Sequence, residues 1–124
     1  MTHDNDFVSE EIVEFNIDER TFGYKPVTAG EENDWLNLYL KIDSEGKTYQ
    51  DFTMLNRLKL NNLVKVPYDK ELIKLKIGVD KNWSKLSNDE KYKFLGKLRP
   101  SLFSKIIDSI NKIDKAGGDS LKNC

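Results

Sequence analysis

With 124 residues, 38% of them hydrophobic and 33% charged, the chain is long enough for a single domain that buries roughly two-thirds of its unfolded surface without disulfide staples. Its formal net charge of −1 conceals a division: Met1 to Asp51 carries 13 acidic and 4 basic residues, a charge of −9, whereas Phe52 to Cys124 carries 16 basic and 8 acidic residues, a charge of +8. No apolar run approaches the roughly 20 residues of a membrane-spanning helix, the acidic N-terminus is unlike a signal peptide, and one cysteine at position 124 excludes an internal disulfide framework, so a cytoplasmic protein is expected.

Residues 1–10 are polar and expected to be disordered. From Glu11 to Ile17 apolar residues alternate, with Val13, Phe15 and Ile17 on one face, which is the period of a half-buried strand. Asp18-Glu19-Arg20 can turn the chain, and Phe22, Tyr24 and Pro26 alternate again, so a hairpin is predicted with Pro26 at a strand end. Thr28 or Gly30 opens a helix whose first turn holds Glu31, Glu32 and Asp34, matched to the positive end of its dipole. Trp35, Leu36, Leu38, Tyr39 and Leu40 give this helix its apolar surface, with Trp35 read as core. After a turn at Asp43–Lys47, a second helix is predicted from about Tyr49 to Asn62 on the stripe Phe52, Leu55, Leu58 and Leu63 with Met54 beside it.

Val64 to Pro67 is extended, because a residue preceding proline avoids the helical region. Asp69 caps a short helix to Leu75, ended by Ile77-Gly78. Ser87 with Glu90 three residues later forms a capping box, opening a helix to about Leu98 that buries Tyr92, Leu95 and Leu98. Pro100 stops that helix and starts the last one, where Phe103, Ile106, Ile107, Ile110 and Ile113 repeat at helical spacing. Gly117-Gly118 ends the domain, leaving 117–124 as a flexible tail. The expected architecture is α+β and mainly helical: one globular domain over 11–116, with an N-terminal β-hairpin packed on four or five helices.

Catalytic signatures are missing from this sequence. His3 is the sole histidine and lacks partners for a metal site or a triad. Glu31 and Glu32 are adjacent on a helix and point in different directions, so they read as solvated first-turn carboxylates rather than an acid/base pair. Neither catalytic nor metal-binding residues are assigned, no cofactor is implied, and the protein is read as a non-enzyme. The cations of the basic half are mostly lysine, with two arginines among sixteen, and Asp89, Glu90, Asp108 and Asp114 interrupt them. That mixture argues for a solvated face or one that meets acidic protein, and against a dedicated nucleic-acid surface.

The stretch Phe22 to Trp35, Phe-Gly-Tyr-Lys-Pro-Val-Thr-Ala-Gly-Glu-Glu-Asn-Asp-Trp, together with Leu86 to Phe103, Leu-Ser-Asn-Asp-Glu-Lys through Leu-Arg-Pro-Ser-Leu-Phe, resembles the small tail-assembly proteins of long-tailed phages and proviruses. The resemblance spans Phe22 to Ile113 and rests on packing and capping patterns. It implies a tail assembly chaperone that binds the tape-measure protein, keeps its hydrophobic helices from aggregating and helps recruit the tail-tube protein. Leu121-Lys122-Asn123 is compatible with a slippery heptamer for a −1 ribosomal frameshift, which in that group yields a longer product.

A client groove with apolar walls and charged rims is expected on the last two helices, built from Phe94, Leu98, Leu102, Phe103 and Ile106, with Phe103 and Ile106 also suited to the core. Phe94 falls off the Tyr92–Leu95–Leu98 stripe and is therefore expected at the surface. Trp83, in the loop Asp80–Ser87, is open to either a core or an anchor reading. The candidate partner-binding residues are thus Trp83, Tyr92, Phe94, Leu98, Leu102 and Phe103. The opposed charges also suit a salt-dependent homo-oligomer. Alternatives from other classes are a structural tail-completion or connector protein of the virion and a small Lys-rich DNA-binding regulator.

Overall fold

The computed structural model describes residues 6–8 and 11–115. Most of the N-terminal stretch expected to be disordered, the Gly117-Gly118 stop and the tail with its Leu121–Asn123 tripeptide lie outside the described residues. The alternating N-terminal segment forms β1 (Val13–Ile17) and β2 (Arg20–Tyr24), paired antiparallel with Phe15 opposite Phe22. Asp18 and Glu19 both adopt positive φ, 48° and 69°, at the connecting turn. Such a left-handed pair matches the right-handed twist of a tight hairpin. β5 (Leu63–Lys65) pairs on the other edge of β2, giving a three-stranded sheet in the order β1-β2-β5.

Five helices complete the α+β fold: α1 (Ala29–Tyr39), α2 (Phe52–Leu60), α3 (Lys70–Ile77), α4 (Asn88–Leu95) and α5 (Pro100–Lys115), with a 3-10 turn at Trp83–Lys85. Capping residues set their starts. Thr28 and Ser87 form capping boxes with Glu31 and Glu90, while the carboxylates of Asp51 and Asp69 accept from the amides of Met54 and Leu72. Gly78, at φ 71°, ends α3 in the left-handed conformation that a side chain resists. The amphipathic stripe of α5 lies where its spacing predicts, with Ile106, Ile107, Ile110 and Ile113 all buried and the helix packed on β1.

Between α1 and α2 the chain departs from the two-helix expectation. Leu40–Ile42 and Thr48–Gln50 form a second hairpin, β3–β4, around the Asp43–Lys47 turn. The Asp43 carboxylate accepts from the amides of Glu45 and Lys47, both at 2.9 Å, and Gly46 closes the turn at φ 80°. The helix expected from Tyr49 therefore starts at Phe52, and Leu40 belongs to a strand. Similarly, α4 stops at Leu95 instead of Leu98, because Gly96 follows it and the residue before Pro100 disfavours helix.

Where β2 passes between its two neighbours, Gly23 leaves no room for a side chain. A Cβ there would lie 2.8 Å from both Ile12 Cγ2 and Lys65 Cβ, at the point where the register with β5 shifts. Gly23→Ala is expected to cost about 1–3 kcal/mol by overpacking, read as a lower denaturant midpoint at unchanged slope. A second prediction concerns Tyr68, whose buried hydroxyl has no hydrogen-bond partner among the described residues. Its ring sits edge-on to Phe22 at 6.2 Å and 5.3 Å from Phe94, and burial raises the phenol pKa, partly offset by Arg20. Tyr68→Phe is expected to leave stability unchanged or raise it by about 1–2 kcal/mol, since it removes an orphaned polar group without opening a cavity.

Candidate functional site: a cleft and an apolar wing

A cleft of about 340 Å³ opens between α1, α2 and α5. Val27, Trp35, Tyr39 and Leu55 give it apolar walls; Lys59, Asn111 and Asp114 form a polar floor, with Glu32 and Lys115 at its charged edges. The floor is a network centred on Asp114. One carboxylate oxygen accepts from the Tyr24 hydroxyl at 2.9 Å and pairs with Lys59 Nζ at 3.2 Å; the other accepts from the Val27 amide at 3.1 Å. Lys59 donates further to Asn111 Oδ1 at 2.7 Å. The Lys59 and Asp114 side chains are only 15% and 14% exposed, so the pair is largely desolvated. Tyr24, Val27, Lys59, Asn111 and Asp114 are thus tied into one hydrogen-bonded network at the base of the cleft.

Burial raises the pKa of Tyr24 far above the ordinary phenol value, reinforced by the negative charge and hydrogen bond of Asp114 and by Glu31. The sign of the pH effect follows. Above about pH 10 the unfolded chain releases this proton while the folded chain keeps it, so stability falls by about 1.4 kcal/mol per pH unit as pH rises. Below that range the contribution is fully present. Urea unfolding between about pH 9 and 11 is expected to show this decline in the native sequence and a shallower one in Tyr24→Phe.

Beside the cleft, the C-terminal half of α1, the β3–β4 hairpin and the start of α2 expose a run of large apolar residues. Leu36, Leu38, Leu40, Ile42, Tyr49 and Phe52 all lie at the surface, Ile42 at 71% and Phe52 at 64% exposure. The hairpin packs chiefly on α1 and, among the described residues, forms a separate two-stranded sheet. Asp43, Glu45 and Asp51 lie in or next to the hairpin, with Lys41 and Lys47, while Glu31, Glu32 and Asp34 stand in the N-terminal half of α1. The carboxylates of Glu31, Asp43 and Asp51 accept local backbone amides, and Glu45 pairs with Lys47.

The residues singled out from sequence as partner contacts lie elsewhere and differ in exposure. Phe94 requires correction, and Trp83, open to either reading, takes the core one. Phe94, expected at the surface, is 3% exposed, and Trp83 is 6% exposed; their rings pack edge to face with centroids 6.0 Å apart. Trp83 Nε1 donates to the Leu63 carbonyl at 2.9 Å, and Lys91 lies 5.6 Å above the indole with its pKa lowered by burial. α4 is buried on two sides, so a residue off its main stripe still meets the core. Tyr92 is half-buried beneath the Arg57 guanidinium, 4.7 Å from the ring centroid, and Arg57 also pairs with Asp89. Leu98, Leu102 and Phe103 are half-buried against the core, and Ile106 is fully inside.

Trp35, read as core, is a half-buried wall of the cleft. Neither cleft nor wing was assigned from sequence. The one available signal was the Asp-Ser-Glu-Gly turn flanked by Leu-Lys-Ile and Thr-Tyr-Gln, a hairpin pattern three residues long on each side. Among the described residues no group of three or more His, Cys, Asp or Glu is placed to hold a metal ion, and no helix is long and apolar enough to cross a membrane. No known protein family matches the chain, and comparison with curated proteins and with solved structures gives no significant match.

Proposed function

We propose that this protein is a non-enzymatic tail assembly chaperone of the long-tailed phage type, which binds the tape-measure protein and keeps its amphipathic helices soluble until the tail-tube protein assembles around them. The observation that supports this reading is the open cleft walled by Val27, Trp35, Tyr39 and Leu55 beside exposed leucines of α1. A client helix recognised by its apolar stripe needs a groove of this kind, with charges around it that keep the complex in solution. Several large apolar residues left exposed on one part of a small, highly charged domain suit a protein-binding surface. The groove is thus assigned to α1, α2 and α5, and the client contacts to Trp35 and Leu38 first.

Co-expression with the cognate tape-measure protein tests the reading. The client's soluble fraction is expected to rise several-fold, and the gain to shrink with Leu38→Glu, a change at a half-exposed position that leaves the core intact. Equal client solubility with and without the protein would overturn the assignment. A gene lying between those of the tail-tube protein and a very long helical protein is the matching expectation from the genome.

A further inference from the structure

We propose that the protein self-associates head to tail, the acidic apolar wing of one copy receiving the basic outer face of α3 from the next. This inference concerns a surface pair within the chain itself, and its anchors Ile42, Phe52 and Leu75 differ from the client contacts Trp35 and Leu38. α3 carries Lys70, Lys74 and Lys76 against one acid, Glu71, and between the last two lysines stands Leu75, 76% exposed. Lys70 pairs with Asp80, but Lys74 and Lys76 form no ion pair among the described residues. The wing presents the complement, with Ile42 and Phe52 protruding among Asp43, Glu45 and Asp51.

Within one copy these two features do not cover each other, since Ile42 and Leu75 are both more than two-thirds exposed. Each therefore lacks an apolar neighbour that the other can supply. An isolated two-stranded hairpin with three residues per strand is marginal in water, which gives the wing a reason to be covered. Unlike charges flanking both apolar centres would fix the pairing as wing to α3, whereas a symmetric wing-to-wing contact would set Asp43, Glu45 and Asp51 of one copy against those of the other. Because the two surfaces differ, the contact is heterologous, and it propagates into a ring or a filament.

Sedimentation velocity separates the alternatives. The native protein is expected to form concentration-dependent oligomers at about 0.02 M salt and to dissociate near 0.5 M, where the Debye length shrinks from roughly 20 Å to about 4 Å. Ile42→Asp and Leu75→Asp, both at exposed positions, are each expected to weaken association more than about tenfold, as loss of an aliphatic anchor predicts. An equimolar mixture of the two variants should then form a 1:1 dimer that grows no further, because one variant retains the wing and the other retains α3. A native protein that stays monomeric at low salt overturns the proposal. So does association that survives Leu75→Asp, which would indicate wing-to-wing pairing, or a mixture that remains monomeric. Unchanged circular dichroism in both variants guards against misfolding.

Discussion

Asp114→Ala is expected to lower the unfolding free energy by about 3–5 kcal/mol, the range found when one member of a buried ion pair is removed. The reason lies in what the carboxylate leaves behind. Tyr24 Oη, the Val27 amide and Lys59 Nζ converge on it from β2, the loop that follows and α2, and Lys59 also donates to Asn111. A largely desolvated lysine without its counter-charge is the costliest part of the loss. Since a domain of this size is stable by only about 5–15 kcal/mol, the variant should unfold at a much lower denaturant concentration. Tyr24→Phe, which removes one hydrogen bond and leaves the ion pair, should cost about 1 kcal/mol. A loss below about 1 kcal/mol in Asp114→Ala would show that the pair is too hydrated to hold the fold together.

Phe22→Ala is expected to cost about 3–5 kcal/mol, by cavity formation at the centre of the sheet. Phe22 is fully buried, stacked on Phe15 with centroids 5.4 Å apart and an interplanar angle of 14°, and met edge-on by Tyr68. Strands on both sides of β2 limit how far the backbone can collapse into the space. Phe22→Leu should recover more than half of the loss, because most of the apolar volume returns. Equal stability of the alanine and leucine variants would mean that the site relaxes freely. Both measurements need only denaturant titration of the purified protein.

How much of this was legible in the sequence depends on the range over which each signal acts. Local signals succeeded. The alternation of Val13, Phe15 and Ile17, the capping box at Ser87 and Glu90, and the isoleucine stripe of α5 each specify structure within a few residues, and all three were found as read. The same box at Thr28 and Glu31 was equally visible, although Glu31 was read for its charge alone. The β3–β4 hairpin escaped because three-residue strands carry too little periodicity to compete with the leucines around them. Phe94 was misplaced for another reason: a single-stripe argument assumes a helix buried on one side, and α4 packs on both α2 and α3 with Trp83 and Tyr68 against it. The Asp114 network joins residues as far as 90 positions apart, and no local pattern announces such a meeting.

That separation has a consequence during synthesis. At ribosomal speeds of about 5–20 residues per second, the acceptor for Tyr24 is made roughly 5–20 seconds after the tyrosine itself. The isoleucine face of α5, which covers β1, arrives over the same interval. Throughout that time the nascent hairpin holds Phe15, Phe22 and Tyr24 without their final cover. The fold thus closes last at its C-terminal helix, and truncations that stop before Ile106 should leave an N-terminal hairpin that aggregates rather than a smaller domain.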